Sequence, residues 1–158
     1  RSAALLEARQ EAYGVDFTYQ EHAFYQKYFN AFLVSFATLF SMIIIATPLR
    51  KLVRGFLPKP GEGPSEETMQ KGFFDCLYTV EAEDGSVSIF RMHGKGDPGY
   101  RVTSKFVCES ALTLIHGEDN LPGGRDYGGL LTPASGLGLP LIERLSKAEI
   151  FFEGPLEK

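Results

Sequence analysis

The sequence has no tryptophan and only three methionines, three histidines and two cysteines among 158 residues. Cys76 and Cys108 stand 32 positions apart, which excludes a C-x-x-C redox pair and a disulfide framework. Both are expected as buried thiols in a reducing compartment. His22, His93 and His116 are scattered, and no H-E-x-x-H, Cys/His metal spacing, Ser/His/Asp set or suggestive carboxylate pair occurs. The sequence therefore nominates no catalytic residue and no metal site. Positive charge is not in excess either: 16 Lys and Arg against 20 Asp and Glu leave a net −4, which excludes a basic nucleic-acid-binding domain. Seventeen Gly and nine Pro follow no G-X-Y period, so the chain is not collagen-like. Its 44% hydrophobic and 23% charged content excludes a disordered chain. There is no initiator Met before Arg1, so a processed product or the ordered part of something longer is expected.

Charge is also missing locally. From Tyr28 to Leu49, 22 residues carry none, enough as a helix for about 33 Å against a hydrocarbon core of about 30 Å. Four basic residues (Arg50, Lys51, Arg54 and Lys59) then stand against Glu62 alone. An apolar block followed by a basic cluster predicts a transmembrane helix at 29–49, with the chain after residue 50 on the cytosolic, stromal or matrix side. Phe29, Phe32, Phe36 and Phe40 share one helical face, while Ala37 and Ser41 form a small-xxx-small pair where another helix could approach. Tyr19, Tyr25 and Tyr28 cluster near one end and Pro48 closes the other. A core helix of a soluble protein is the alternative, since Ser35, Thr38 and Ser41 are polar. A cleaved signal peptide fits less well after 28 polar residues. His22 is read as solvated at the interface rather than as a ligand to a metal or pigment.

The expected organisation is an N-terminal flank at 1–28, the helix at 29–49, a basic Pro/Gly linker at 50–71 and an α+β domain at 72–158. Residues 58–65, PKPGEGPS, would form a stiff extended connection. Phe74, Cys76, Tyr78, Val80 and Ala82 alternate with Asp75, Leu77, Thr79 and Glu81, the period of a half-buried strand. Asp84-Gly85 predicts a hairpin turn and 87–92 the returning strand. Residues 101–116 carry apolar positions at helical spacing and end at Gly117. Mostly loop is expected over 118–138, then a short helix at 139–148 and a short strand at 150–152. The whole is a membrane helix followed by a small antiparallel sheet with helices.

Gly94-Lys95-Gly96-Asp97-Pro98-Gly99 satisfies G-x-G-x-x-G between a predicted strand and helix. The strand is the second arm of a hairpin, however, so the βαβ start of a dinucleotide site is missing. A weaker reading is an anion-binding turn built from Gly94, Lys95, Gly96, Gly99 and Arg101. A tight turn in which the glycines serve backbone geometry alone is preferred.

GKGDPGY followed by Thr103, then Glu109-Ser110-Ala111-Leu112, LLTPASGLG and LIERL, resembles the C-terminal half of saccharopine dehydrogenase-like oxidoreductases. That group includes membrane- and lipid-droplet-associated eukaryotic members and bacterial trans-acting enoyl reductases. The resemblance covers roughly 72–153, and the apolar run with its basic linker looks like an insertion of the eukaryotic members. It implies an antiparallel sheet with helices, packed against an N-terminal Rossmann domain that holds NAD(P). No such unit lies upstream in this sequence, so no cofactor is expected in this chain unless a Rossmann domain precedes it. The expected function is a non-catalytic, membrane-anchored accessory subunit in a photosynthetic or respiratory kind of assembly, with other membrane subunits and the bilayer as partners. The alternative is a C-terminal fragment of an active NAD(P)-dependent reductase of the same resemblance.

Overall fold

The structure, a computed structural model, describes residues 1–156 apart from Val15, Pro58 and Pro60, which leaves part of the predicted linker outside the described residues. These residues form two units, Arg1–Phe17 with Pro64–Lys158, and Thr18–Gly63.

The first unit is α+β. Strand β1 (Phe73–Glu81) runs antiparallel to β2 (Val87–Lys95), and β2 runs antiparallel to β3 (Ile150–Leu156), in the order β1-β2-β3. The expected alternation holds from Phe73 to Leu77, with Phe74 and Cys76 half-buried, but Tyr78, Val80 and Ala82 are exposed; Phe74 faces Gly94 and Cys76 faces Met92 across the first pair, and Gly94 faces Ile150 across the second. The turn residue Gly85 adopts φ +79, as the hairpin required. Helix α5 (Arg101–His116) and helix α7 (Gly138–Lys147) pack over one sheet face. Val102 and Leu145 are 2% exposed and Ile150 is fully buried. Leu137 and Leu141 complete the core, and Phe74, Met92, Phe106 and Leu121 close its edge. Gly94 is required for this approach, because a Cβ there would stand 2.8 Å from the Phe74 ring and 3.0 Å from the Glu149 carbonyl. Arg144 Nε donates to Glu109 Oε2 at 2.9 Å and Lys105 Nζ to the Ala148 carbonyl at 2.7 Å, tying α7 and its end to α5.

Several short elements had no sequence signal. Helix α1 (Ser2–Ala8) belongs to the α+β unit rather than to a free flank. Arg1 donates from Nε and Nη2 to the Leu130 carbonyl at 3.0 and 2.7 Å. Ser2 Oγ donates to Thr132 Oγ1 at 2.9 Å, and Arg9 Nη1 donates to the Ser135 carbonyl at 3.1 Å. Leu6 is buried and the Arg9 guanidinium lies over the Tyr127 ring. Helix α4 (Glu66–Lys71) occupies the end of the predicted linker, capped by Ser65, and helix α6 (Pro133–Gly136) interrupts the predicted loop behind a Thr132/Ser135 capping box. The cysteines depart from expectation: Cys76 is half-buried and Cys108 is exposed. Cys108 sits on the outer side of α5, where a thiol gains no burial.

In the second unit, helix α2 (Tyr28–Ala46) is followed by helix α3 (Arg50–Val53) and a 3-10 turn (Arg54–Phe56). The apolar helix stops three residues before the expected Leu49. Thr47 is extended ahead of Pro48, as a residue preceding proline favours.

Candidate functional site

Three places gather side chains capable of recognition. The first is the strand-to-helix turn between β2 and α5. Gly94 is buried within β2, Lys95 ends the strand exposed, and Arg101 opens α5 exposed. Gly96 sits at φ +113, a conformation that only glycine adopts without strain. Its N–H donates to the Gly72 carbonyl at 2.7 Å, and the Asp97 N–H donates to the Met69 carbonyl at 2.8 Å. The Tyr100 N–H donates to Asp97 Oδ2 at 2.7 Å and the Val102 N–H to the Asp97 carbonyl at 2.9 Å. Four amides of this turn are thus engaged by the chain itself, and the carboxylate placed before the helix belongs to Asp97. The strand entering the turn is paired antiparallel on both edges, the opposite of the parallel arrangement a dinucleotide fingerprint needs.

The second is a charged cluster on the sheet face away from the core, which the sequence analysis did not anticipate. The register sets Asp75 opposite His93 and Arg91 opposite Glu153. Arg91 donates from Nε and Nη2 to the two Asp75 carboxylate oxygens at 2.8 and 2.6 Å, a bidentate grip. Arg91 Nη1 stands 3.8 Å from Glu153 Oε2. His93 Nε2 is hydrogen-bonded to Glu153 Oε1 at 3.1 Å, and its ring lies 5.5 Å from that of Phe151. The Arg91 hydrogen bond holds the Asp75 carboxyl below its ordinary range, and Asp75 in turn raises Arg91. Beside these charges, Phe73 and Leu77 remain 74% and 67% exposed. The only cue in the sequence was strand alternation, which places a residue on a face but does not identify its partner two strands away. Among the described residues no cluster of His, Cys, Asp and Glu could hold a metal ion.

The third is α2, a helix long and apolar enough to cross a membrane. None of its residues is buried. Phe32, Phe36 and Phe40 stack with ring centroids 6.3 and 6.4 Å apart, and Phe29 continues that ridge. Ala37 and Ser41 lie off the ridge, and Ser41 Oγ donates to the Thr38 carbonyl at 2.8 Å. His22, in the same unit, meets Gln20 at 3.3 Å.

No family model matches the chain, and no solved structure does. Curated relatives do match. A Mycobacterium tuberculosis protein, named provisionally as a trans-acting enoyl reductase, is 38% identical over 101 residues, which is 64% of this chain and 23% of the relative. A trans-acting enoyl reductase of Mycobacterium bovis is 32% identical over 102 residues, with the same shares. One of Mycobacterium ulcerans is 30% identical over 148 residues, 88% of this chain and 34% of the relative. The chain spans about a quarter to a third of the length of these relatives.

These names correct two readings of the sequence. The assignment to a saccharopine dehydrogenase-like protein of the membrane or lipid-droplet eukaryotic type gives way to similarity with mycobacterial enoyl reductases. The non-catalytic accessory subunit is overturned as well, because the relatives are named as reductases. That reading took the missing nucleotide domain as a property of the protein, whereas the chain matches only a part of each relative.

Proposed function

We propose that this chain is part of an enoyl reductase acting on an enoyl group carried by a separate molecule, and that Pro64–Leu156 with α1 form one unit of that enzyme. The observation that carries the reading is the 38% identity over 101 residues with a relative so named. The surface supports it. Phe73 and Leu77 on the outer sheet face, and Val107, Leu114 and Ile115 on α5, are all more than half exposed, an apolar area that calls for cover. In a longer reductase that cover is the remainder of the chain.

Reduction of an enoyl group needs a hydride donor, which a reduced nicotinamide supplies when bound. The residues between Gly94 and Gly99 do not fit it: the Gly96 and Asp97 amides are occupied internally and Asp97 brings a negative charge to where phosphates would sit. The nicotinamide is therefore held elsewhere in the protein. The whole protein should consume NADPH or NADH only when an enoyl thioester is supplied. Absence of enoyl-dependent oxidation with either nucleotide would overturn the reading.

The same proposal places the chain at a membrane, with the α+β unit on the cytosolic side. The length and exposure of α2, followed by Arg50, Lys51 and Arg54, support this. Carbonate extraction tests it, and release of the protein into the supernatant would refute it.

A further inference from the structure

We infer that residues 18–63 enter one leaflet of an anionic bilayer and return to the same side, with α2 lying along the membrane instead of crossing it. This deepens the membrane location proposed above and rests on it.

Connectivity restricts the path of the segment. Residues 18–63 are joined at both ends to one folded unit, since α1 precedes them and α4 with β1 follows. Arg1, Ser2 and Arg9 bond to Leu130, Thr132 and Ser135, and Leu6 is buried. A single crossing would put Phe17 and Pro64 on opposite sides of the bilayer and strip α1 from its unit. A second crossing through residues 47–63 would have to carry Arg50, Lys51, Arg54, Lys59 and Glu62 through hydrocarbon. The chain after Phe56 is also non-helical up to Ser65, among the described residues, so its backbone groups would enter lipid unpaired.

The segment's own pattern fits the remaining arrangement. On α2, Phe29, Phe32, Phe36, Phe40 and Ile43 form one bulky side, while the other joins Ala31, Ser35 and Thr38 with Val34, Met42 and Ile45. Both sides are apolar enough for acyl chains, so α2 sits within the leaflet, the bulky side deeper and Ser35 and Thr38 toward the headgroups. After the Thr47-Pro48 break, Leu49, Leu52, Val53 and Phe56 recur at helical spacing with Arg50, Lys51 and Arg54 between them. Leu52 and Phe56 are 74% and 90% exposed, and the three cations beside them match anionic headgroups. Tyr19, Phe24 and Tyr25 give the other end a similar aromatic fringe. The partner is thus a lipid surface carrying negative charge.

Sealed, cytosolic-face-out vesicles from cells making the full chain provide the test. An impermeant maleimide is applied to Ala23→Cys or Glu62→Cys, each in a Cys76→Ala, Cys108→Ser background. Native Cys108, in a Cys76→Ala protein, marks the side of the α+β unit. All three should be modified to about the same extent before detergent is added. Modification of either flank only after detergent would overturn the inference while leaving the membrane location standing. Trypsin on the unsubstituted chain gives a second readout, with cleavage after both Lys27 and Lys71 expected without detergent, and protection of Lys27 contradicting it. Recovery in the soluble fraction after carbonate, whether free or in a stoichiometric protein complex, would remove the membrane location and the inference together.

Discussion

The Asp97 carboxylate accepts a hydrogen bond from the Tyr100 N–H at 2.7 Å, which closes the glycine-rich turn on itself just before α5. Replacing Asp97 by Ala should cost about 0.5–1.5 kcal/mol, the net worth of one hydrogen bond, and Asp97→Asn should recover most of it. Urea unfolding with an unchanged slope measures this. Equal loss in both variants would mean that the charge, rather than the hydrogen bond, is what matters.

Asp75 gives a pH signature. Its carboxyl is held below the ordinary value of 3.8, chiefly by the Arg91 hydrogen bond. A depressed carboxylate contributes stability above its unfolded value and loses it as pH falls through the lower folded value. Wild type should therefore melt above Asp75→Asn by a constant margin at neutral pH, and the margin should close only below about pH 4. Thermal melts across the acid range decide it. A margin that closes above pH 5 would assign the effect to another group.

The core is concentrated on few residues, so truncation should be severe. Leu145, 2% exposed between α5 and the sheet, should cost about 2–5 kcal/mol as Leu145→Ala. Chemical denaturation of the α+β unit is the measurement. A loss well under that range would indicate that α7 repacks.

The two sides of α2 should differ. Phe36→Arg puts a charge on the bulky side and should weaken binding to anionic vesicles by at least tenfold, since a charge in hydrocarbon costs up to about 3 kcal/mol. Ser35→Arg, on the side that Ala31 and Thr38 share with Val34 and Met42, should weaken binding less than Phe36→Arg. Vesicle sedimentation reads both. Equal impairment would favour a helix surrounded by lipid on every side.

What the sequence by itself determined is local. The apolar helix followed from 22 uncharged residues, the hairpin from alternation around Asp84-Gly85, and α5 from its periodic apolar positions ending at Gly117. In each case the signal lies within a few residues, because side-chain direction repeats every two positions in a strand and every three to four in a helix. The tertiary structure alone decided the partners. It gathered Asp75, Arg91, His93 and Glu153 from three strands, and it tied Arg1 and Arg9 to carbonyls 129 and 126 residues away. It also made residues 1–17 part of the α+β unit. A seven-residue helix has no periodic signal of its own and is stable only through what it docks on. Its partners were fixed by long-range packing that no local pattern encodes.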